Sequence, residues 1–114
     1  MKVGHLELFV SEPHRSRFFY ESLGFELLEI QGDCIWLKLA DAEILLRPGR
    51  LAPSGRDYRE ATVGIVLYTE DLPGALHALE KRGLVPVGND GPNCPTFTDP
   101  DGHWFQLVDP RNHT

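Results

Sequence analysis

The chain is poor in the residues that mark membrane, nucleic-acid-binding and disulfide-rich proteins. It has only two cysteines, Cys34 and Cys94, and neither lies in a CxxC motif. Two cysteines cannot build a disulfide framework, so we expect free thiols and a cytoplasmic protein. The 11 lysines and arginines are scattered and outnumbered by 17 acidic residues, which argues against a nucleic-acid partner. No apolar run approaches the roughly 20 residues of a membrane-spanning helix, so we expect no membrane partner.

The signature motifs of several enzyme classes are also missing. The sequence contains no GxSxG elbow, no Walker loop, no GxGxxG fingerprint and no HExxH zinc motif. Its 114 residues are enough for one domain. Its net charge of −6 is explained most simply by solubility.

What the chain does have is an internal repeat. Residues 6–27 align with residues 65–86 without a gap, at a constant offset of 59. In both copies an alternating apolar strand leads to an acidic turn, a proline near a helix start, a glutamate and a glycine. A repeated unit of this size cannot bury its own apolar face. We therefore predict that the two copies form one domain, residues 1–114, with a cleft between them.

Hydrophobic periodicity predicts the order βαβββ in the first module, residues 1–47. Ser11 is expected to cap a helix that starts near Pro13, and Gly24 to end it. The predicted strands lie at residues 5–10, 25–30, 34–39 and 43–47.

The second module, residues 61–114, repeats this pattern after a linker, residues 48–60, that is rich in Gly, Pro and charge. Asp71 is expected to cap a helix that runs to about Arg82, and Gly83 to end it. The predicted strands lie at residues 62–69, 84–87, 96–98 and 103–108. The two modules together predict an α+β fold.

Strand alternation also predicts which side chains point away from the helices and into the cleft. Leu6, Leu8 and Val10 are assigned to the helix side of the first strand, and Phe105 and Leu107 to that of the last. Four aromatic rings and four polar side chains on the cleft side form the candidate ligand-binding set. It comprises His5, Glu7, Phe9, Trp36, Lys38, Tyr68, Trp104 and Gln106.

Two segments resemble the vicinal oxygen chelate superfamily. HLELFVSEPHRSRFFYESLGF, residues 5–25, is similar to its opening, and FTDPDGHWFQLVDP, residues 97–110, to its closing strand. The superfamily includes glyoxalase I, extradiol dioxygenases, methylmalonyl-CoA epimerases, and bleomycin and fosfomycin resistance proteins. The resemblance implies paired βαβββ modules that form a curved mixed sheet around a cavity. It also implies a homodimer.

The resemblance further implies where a metal ion would bind. Metal-dependent members place a histidine on each module's first strand and a glutamate on the last strand. These positions correspond here to His5, Gly64 and Gln106, and the remaining symmetric position falls on Ile44 or Leu46. A catalytic divalent ion typically has three protein ligands, so we expect no metal cofactor. If Mn, Fe, Ni or Zn binds, the expected ligands are His5 and Gln106.

We therefore expect a metal-free protein that binds or sequesters a planar or aromatic small molecule, as bleomycin-resistance members do. No catalytic residue is assigned. The aromatic side chains would stack on the ligand, while His5, Glu7 and Gln106 would orient it. Glu7 and Lys38 carry opposite charges, so the charge of the ligand stays open.

Two other functions remain open from the sequence. The first is a metal-dependent lyase, isomerase or dioxygenase with a shifted ligand set that includes His5, Gln106 and Glu43. The second is a degenerate module that serves as a structural or regulatory subunit.

Overall fold

The computed structural model describes residues 1–49 and 55–111. The chain divides into two compact units, one within residues 1–52 and the other within residues 53–114. The boundary lies inside the predicted linker, of which residues 50–54 fall outside the described residues. Neither α-helix of the described residues is long and apolar enough to cross a membrane.

The first unit has the predicted order βαβββ. A four-stranded mixed sheet in the order β1-β4-β3-β2 pairs β1 parallel to β4 and the other neighbours antiparallel. Helix α1 contacts β3 and β4. The elements are β1 (Leu6–Val10), α1 (Pro13–Ser22), β2 (Glu26–Gln31), β3 (Cys34–Leu39) and β4 (Ala42–Pro48).

The core of the first unit consists of alternate strand residues on the side that packs against α1. Leu8 and Val10 were predicted to lie on this side, and Leu6, which was predicted with them, is 44% exposed. Tyr20 of α1 is fully buried, and its ring packs edge-on against Phe25 at 5.5 Å. Burying such side chains stabilises the fold by about 1.5–3 kcal/mol each. The buried strand residues on this side are Leu8, Val10, Ile35, Leu37, Ile44 and Leu46.

The start of α1 differs from the prediction that Ser11 caps it. The N-cap position belongs to Glu12, which makes no side-chain capping hydrogen bond. The Glu12 carboxylate pairs instead with Arg15 at 2.9 Å. The helix itself begins at Pro13, as predicted. The predicted end at Gly24 is confirmed by its φ of 105°, a left-handed conformation that glycine adopts without strain.

The second unit contains a three-stranded sheet in the order β5-β7-β6, with β5 parallel to β7. Asp71 caps α2 as predicted, because its Oδ1 accepts the Gly74 N–H at 3.1 Å. A 3₁₀ turn (Tyr58–Glu60) precedes the sheet. The elements are β5 (Gly64–Tyr68), α2 (Leu72–Lys81), β6 (Thr96–Thr98) and β7 (Trp104–Val108).

The predicted strand at residues 84–87 is wrong. Residues 84–88 form no strand, and the side chains of Val85 and Val87 are 66% and 60% exposed. Pro86 has no N–H to donate to a ladder, and Gly88 turns the chain with a φ of 79°. Only isolated backbone hydrogen bonds remain in this segment. In one of them the Val87 N–H donates to the Thr96 carbonyl at 2.7 Å. The described part of this unit is therefore βαββ.

Candidate functional site

In the first unit, the sheet side opposite α1 carries polar and aromatic side chains, which we call the polar face. The register places Leu45 between Glu7 and Trp36, so an aliphatic and an aromatic residue lie near its middle. Because side chains alternate across a strand, the members follow from the register. They are Glu7, Phe9, Glu26, Glu29, Gln31, Cys34, Trp36, Lys38, Glu43, Leu45 and Arg47, with His5 just before β1.

An ion network lies at one side of the polar face. Glu7 Oε1 accepts a hydrogen bond from Arg47 Nη1 at 2.8 Å, and Glu7 Oε2 lies 2.9 Å from His5 Nε2. The Arg47 hydrogen bond, followed by the His5 hydrogen bond, lowers the pKa of Glu7 below its usual value. Glu7 is therefore an anion at neutral pH. The Arg47 guanidinium also lies 5.5 Å from the centre of the Phe9 ring, within cation–π range.

The indole ring of Trp36 is held by polar contacts. Its Nε1–H donates to Gln31 Oε1 at 3.3 Å, and Gln31 Nε2 donates to Glu29 Oε2 at 3.1 Å. The His5 ring meets it edge-on, with the ring centres 4.6 Å apart. These contacts fix the ring orientation before any ligand arrives, which reduces the entropy lost on binding.

A cavity of about 580 Å³ lies on the same face. It is lined by Leu28, Glu29, Gln31, Trp36 and Glu43. A register shift between Leu27 and Glu29 makes Leu28 an extra residue in β2, and such bulges redirect side chains locally. This volume falls within the range of small-molecule sites.

The predicted site residues of the second unit are divided between buried and exposed positions. Trp104 and Gln106 are both 5% exposed, whereas Tyr68 is 74% exposed. The Trp104 indole N–H donates to the Gly55 carbonyl at 3.3 Å. The Gln106 amide donates to Asp90 Oδ2 at 3.2 Å. Both polar groups thus have partners within the unit, as buried polar groups require.

Residues 55–60, which we call the covering segment, supply part of this burial. Arg59 Nε donates to Asp90 Oδ1 at 2.6 Å, and the same carboxylate accepts from Gln106. A β-carbon added to Gly64 would come within 3.0 Å of the Tyr58 ring and hydroxyl. The Tyr58 phenol therefore fills the space that a side chain at position 64 would need. Sequence reasoning missed this contact, although a glycine inside a strand often marks a close approach.

The residues at the four family metal positions do not fit a divalent ion. The strand register corrects the remaining symmetric position. Gln106 lies opposite Val66 in the second unit, and Leu45 lies opposite Glu7, the repeat equivalent of Val66, in the first unit. The symmetric position is therefore Leu45 rather than Ile44 or Leu46. Ile44 and Leu46 lie on the opposite, buried side because the strand is offset by one residue from the expected alignment. An aliphatic side chain cannot ligate metal.

The other positions give the same result. Gly64 has no side chain, the Gln106 amide nitrogen donates to Asp90, and His5 is paired with Glu7. Within residues 1–49 and 55–111, no group of three His, Cys, Asp or Glu side chains is arranged to hold a metal ion. The donor set present is that of a hydrogen-bonding surface.

The structure thus brings the first five predicted site residues together on one sheet, with Tyr68, Trp104 and Gln106 on the sheet of the other unit. Sequence reasoning missed Arg47, Gln31 and Leu45 as members of the polar face. The signal was available, since strict alternation along β3 and β4 assigns Cys34, Trp36 and Lys38, and then Leu45 and Arg47, to one side.

Solved structures share this fold along nearly the whole chain. A protein from the mobile metagenome of V. pseudocholerae is 25% identical with a TM-score of 0.64, covering 94% of this chain and 95% of that one. A bleomycin-binding protein complexed with bleomycin is 16% identical with a TM-score of 0.68, and the coverages are 96% and 98%. The fosfomycin resistance protein FosX from Listeria monocytogenes, complexed with Mn(II) and sulfate, is 16% identical with a TM-score of 0.75, and the coverages are 95% and 89%.

The sequence comparisons place the chain in a family. No curated protein gives a significant match. A match to a family covers residues 2–107, which include both units. The chain belongs to the Glyoxalase/Bleomycin resistance protein/Dioxygenase superfamily.

Proposed function

We propose that this protein binds or sequesters a planar or aromatic small molecule on the polar face, without a metal ion. The observation that carries the proposal is the Trp36 ring, which is fixed by Gln31 and His5 beside a cavity. An aromatic side chain offers about 150–250 Å² of contact area. The polar groups around it have the few, placed donors and acceptors that orient a ligand in a typical site.

The ion network supports the same proposal. Glu7, held between Arg47 and His5, keeps charged groups in fixed positions on the face. His5 contacts the Trp36 ring edge-on, and Glu7 and Lys38 lie on the same face of the sheet. Fixed polar groups add orientation and specificity more than raw affinity.

The residues of the second unit enter the proposal in two ways. The exposed ring of Tyr68 is available for contact. The Trp104 indole N–H is held by Gly55 of the covering segment, and the Gln106 amide is held by Asp90, so a ligand could bond to these groups only by displacing those partners. The oligomer we expect is a homodimer, with a mass in solution twice the 12.8 kDa of the chain. Analytical ultracentrifugation measures this mass directly.

Isothermal titration with bleomycin, the molecule bound by one structural relative, tests the proposal. A panel of planar dyes extends the test to other rings. We expect Trp36→Ala to weaken the binding of any panel compound by about 5- to 150-fold, since one base-sized stacking contact contributes on the order of 1–3 kcal/mol. Phe18→Ala is the matched control, because Phe18 is 66% exposed on α1. Equal affinity in Trp36→Ala and the parent would refute the site, and no binding across the panel would favour the structural subunit.

Elemental analysis of the untagged protein separates this proposal from a metal-dependent enzyme. We expect far less than one Mn, Fe, Ni or Zn per chain, because Leu45, Gly64 and Gln106 replace the ligands that an ion would need. A stoichiometric ion that is lost in His5→Ala would instead support the lyase, isomerase or dioxygenase with His5, Gln106 and Glu43.

A further inference from the structure

The cavity beside Trp36 combines an aromatic ring with two carboxylates. Its lining residues are Leu28, Glu29, Gln31, Trp36 and Glu43, and none of these five is a lysine or an arginine. We propose that this cavity is a subsite for an organic cation, such as a planar ring that carries a positive charge. This inference rests on the proposed function and names the chemical class of its ligand.

The first argument comes from the ring. Tryptophan attracts cations to its face more strongly than the other aromatic side chains do. The Trp36 indole is held by Gln31 and contacted by His5, so it does not have to be ordered when a ligand binds. A preset ring favours a rigid, flat partner over a flexible one.

The second argument comes from the carboxylates. Glu29 is the register partner of Trp36 on the neighbouring strand, and its Oε2 is held by the Gln31 amide at 3.1 Å. The Glu43 side chain also lines this cavity. Two carboxylates beside one ring attract a cation and repel an anion, so charge decides which planar ligands are accepted.

The third argument comes from the positions of the cations on the polar face. Arg47 donates to Glu7 and lies against Phe9, and it does not line the cavity. Lys38 has Glu26 and Glu43 as its register partners. The strands around the cavity therefore carry more carboxylates than cations, and a positively charged ligand would balance them.

Three ligands with one ring system test the proposal by calorimetry at mildly alkaline pH. Proflavine is a cation, acridine is its neutral parent, and acridine-9-carboxylate is an anion. For the parent protein we expect proflavine to bind about tenfold more tightly than acridine, and acridine-9-carboxylate to bind most weakly. A tenfold difference is the size expected for one cation–π contact assisted by charge. Added salt should narrow the difference between proflavine and acridine.

Variants then assign the preference to the cavity. The double variant Glu29→Gln/Glu43→Gln keeps the shape of both side chains and removes their charge. It should reduce the preference for proflavine over acridine to about twofold or less, while the affinity for acridine changes little. Glu26→Gln is the matched control, because Glu26 lies on β2 and on the same face but does not line the cavity. It should keep most of the preference.

The outcomes separate this inference from the function on which it rests. If acridine binds as tightly as proflavine and both need Trp36, the ligand site stands and the cation subsite is wrong. If Glu26→Gln removes the preference as fully as the double variant does, the selectivity comes from general surface charge and the subsite is again wrong. If none of the three acridines binds but bleomycin or another dye of the panel does, the function stands and the cation subsite is wrong. If nothing in the whole panel binds, both are refuted.

Discussion

The phenol ring of Tyr58 lies against Gly64, at the strand position where metal-dependent relatives would place their second histidine. Tyr58 begins the 3₁₀ turn of the covering segment, and Asp57 caps that turn by accepting the Glu60 N–H at 3.0 Å. The missing imidazole is thus linked to a specific packing contact. A side chain at position 64 and the present position of Tyr58 exclude each other.

The contact predicts how substitutions at these two positions combine. Gly64→Ala should lower the free energy of unfolding by about 1–3 kcal/mol, since the added methyl overlaps Tyr58 and the chain must shift. In a Tyr58→Ala background the same change should cost less than about 0.5 kcal/mol, because the space is then empty. Urea unfolding of the four proteins gives this coupling as a double-mutant cycle.

A control separates the contact from a general effect of alanine in a strand. Val66→Ala on the same strand should cost the same with and without Tyr58, because its side chain is 45% exposed. Additive costs for Gly64→Ala and Tyr58→Ala would mean that the phenol does not occupy this space in solution.

The Glu7–Arg47 pair predicts the direction of a titration. The hydrogen bond from Arg47, and next that from His5, lowers the pKa of Glu7 below 4.5. In Arg47→Met the pKa of Glu7 should rise toward that value. The Glu7 carboxyl resonance, followed by NMR during an acid titration of the parent and of Arg47→Met, reports both midpoints.

The sign of the accompanying stability change follows from the same shift. A carboxylate whose folded pKa is lowered stabilises the native state above its unfolded pKa, and this contribution is lost as the pH falls through the folded pKa. Both side chains are largely exposed, so the contribution is small and salt reduces it. An unchanged Glu7 midpoint in Arg47→Met would contradict the ion network.

Most of the fold could be predicted because it depends on local patterns. Alternation in β1 and β3 identified the buried side, and Gly24 marked the end of α1. The prediction failed at residues 84–87, where a short apolar run with Pro86 has the composition of a strand but lacks a donor for the ladder. The N-cap of α1 was assigned one residue too early: Ser11 has a preferred capping side chain, but the chain enters the helix at Glu12, and local sequence does not fix a helix boundary to one residue.

The two helix starts give a paired prediction. Asp71→Ala should destabilise the protein by about 1 kcal/mol, because it removes the side-chain oxygen that accepts the Gly74 N–H. Glu12→Ala should cost less than about half of this, since Glu12 makes no capping bond and loses only an exposed pair with Arg15. Urea unfolding of both variants in one buffer measures the difference. Equal costs would contradict the assigned caps.

The candidate site was harder to predict than the fold, because it depends on contacts between distant segments. The shared sheet side of Trp36 and His5 was predicted from alternation alone. The partners that fix or cover site residues were not, because Arg47 contacts Glu7 over a separation of 40 residues and Gly55 contacts Trp104 over 49. The family resemblance indicated the metal positions, but a one-residue alignment error chose Ile44 or Leu46 where the register gives Leu45.

The last prediction concerns the turn before β7 and its dependence on pH. The buried carboxylate of Asp99 accepts the N–H groups of Asp101 and His103 at 2.9 and 2.8 Å, and it lies 2.7 Å from His103 Nδ1. The hydrogen bond to Asp99 raises the pKa of His103 above 6.5, although burial opposes the shift. A raised folded pKa means that protonated His103 stabilises the native state.

This contribution is complete below about pH 6.5 and is lost as the pH rises through the higher folded value. The unfolding free energy of the parent protein should therefore fall between mildly acidic and mildly alkaline buffers, and His103→Gln should show a smaller fall. His77→Gln is the matched control for replacing a histidine by glutamine, because His77 is exposed on α2. Urea unfolding at a series of pH values measures all three proteins. The same pH slope in His103→Gln and the parent would show that the Asp99 pair does not contribute to the pH dependence in this range.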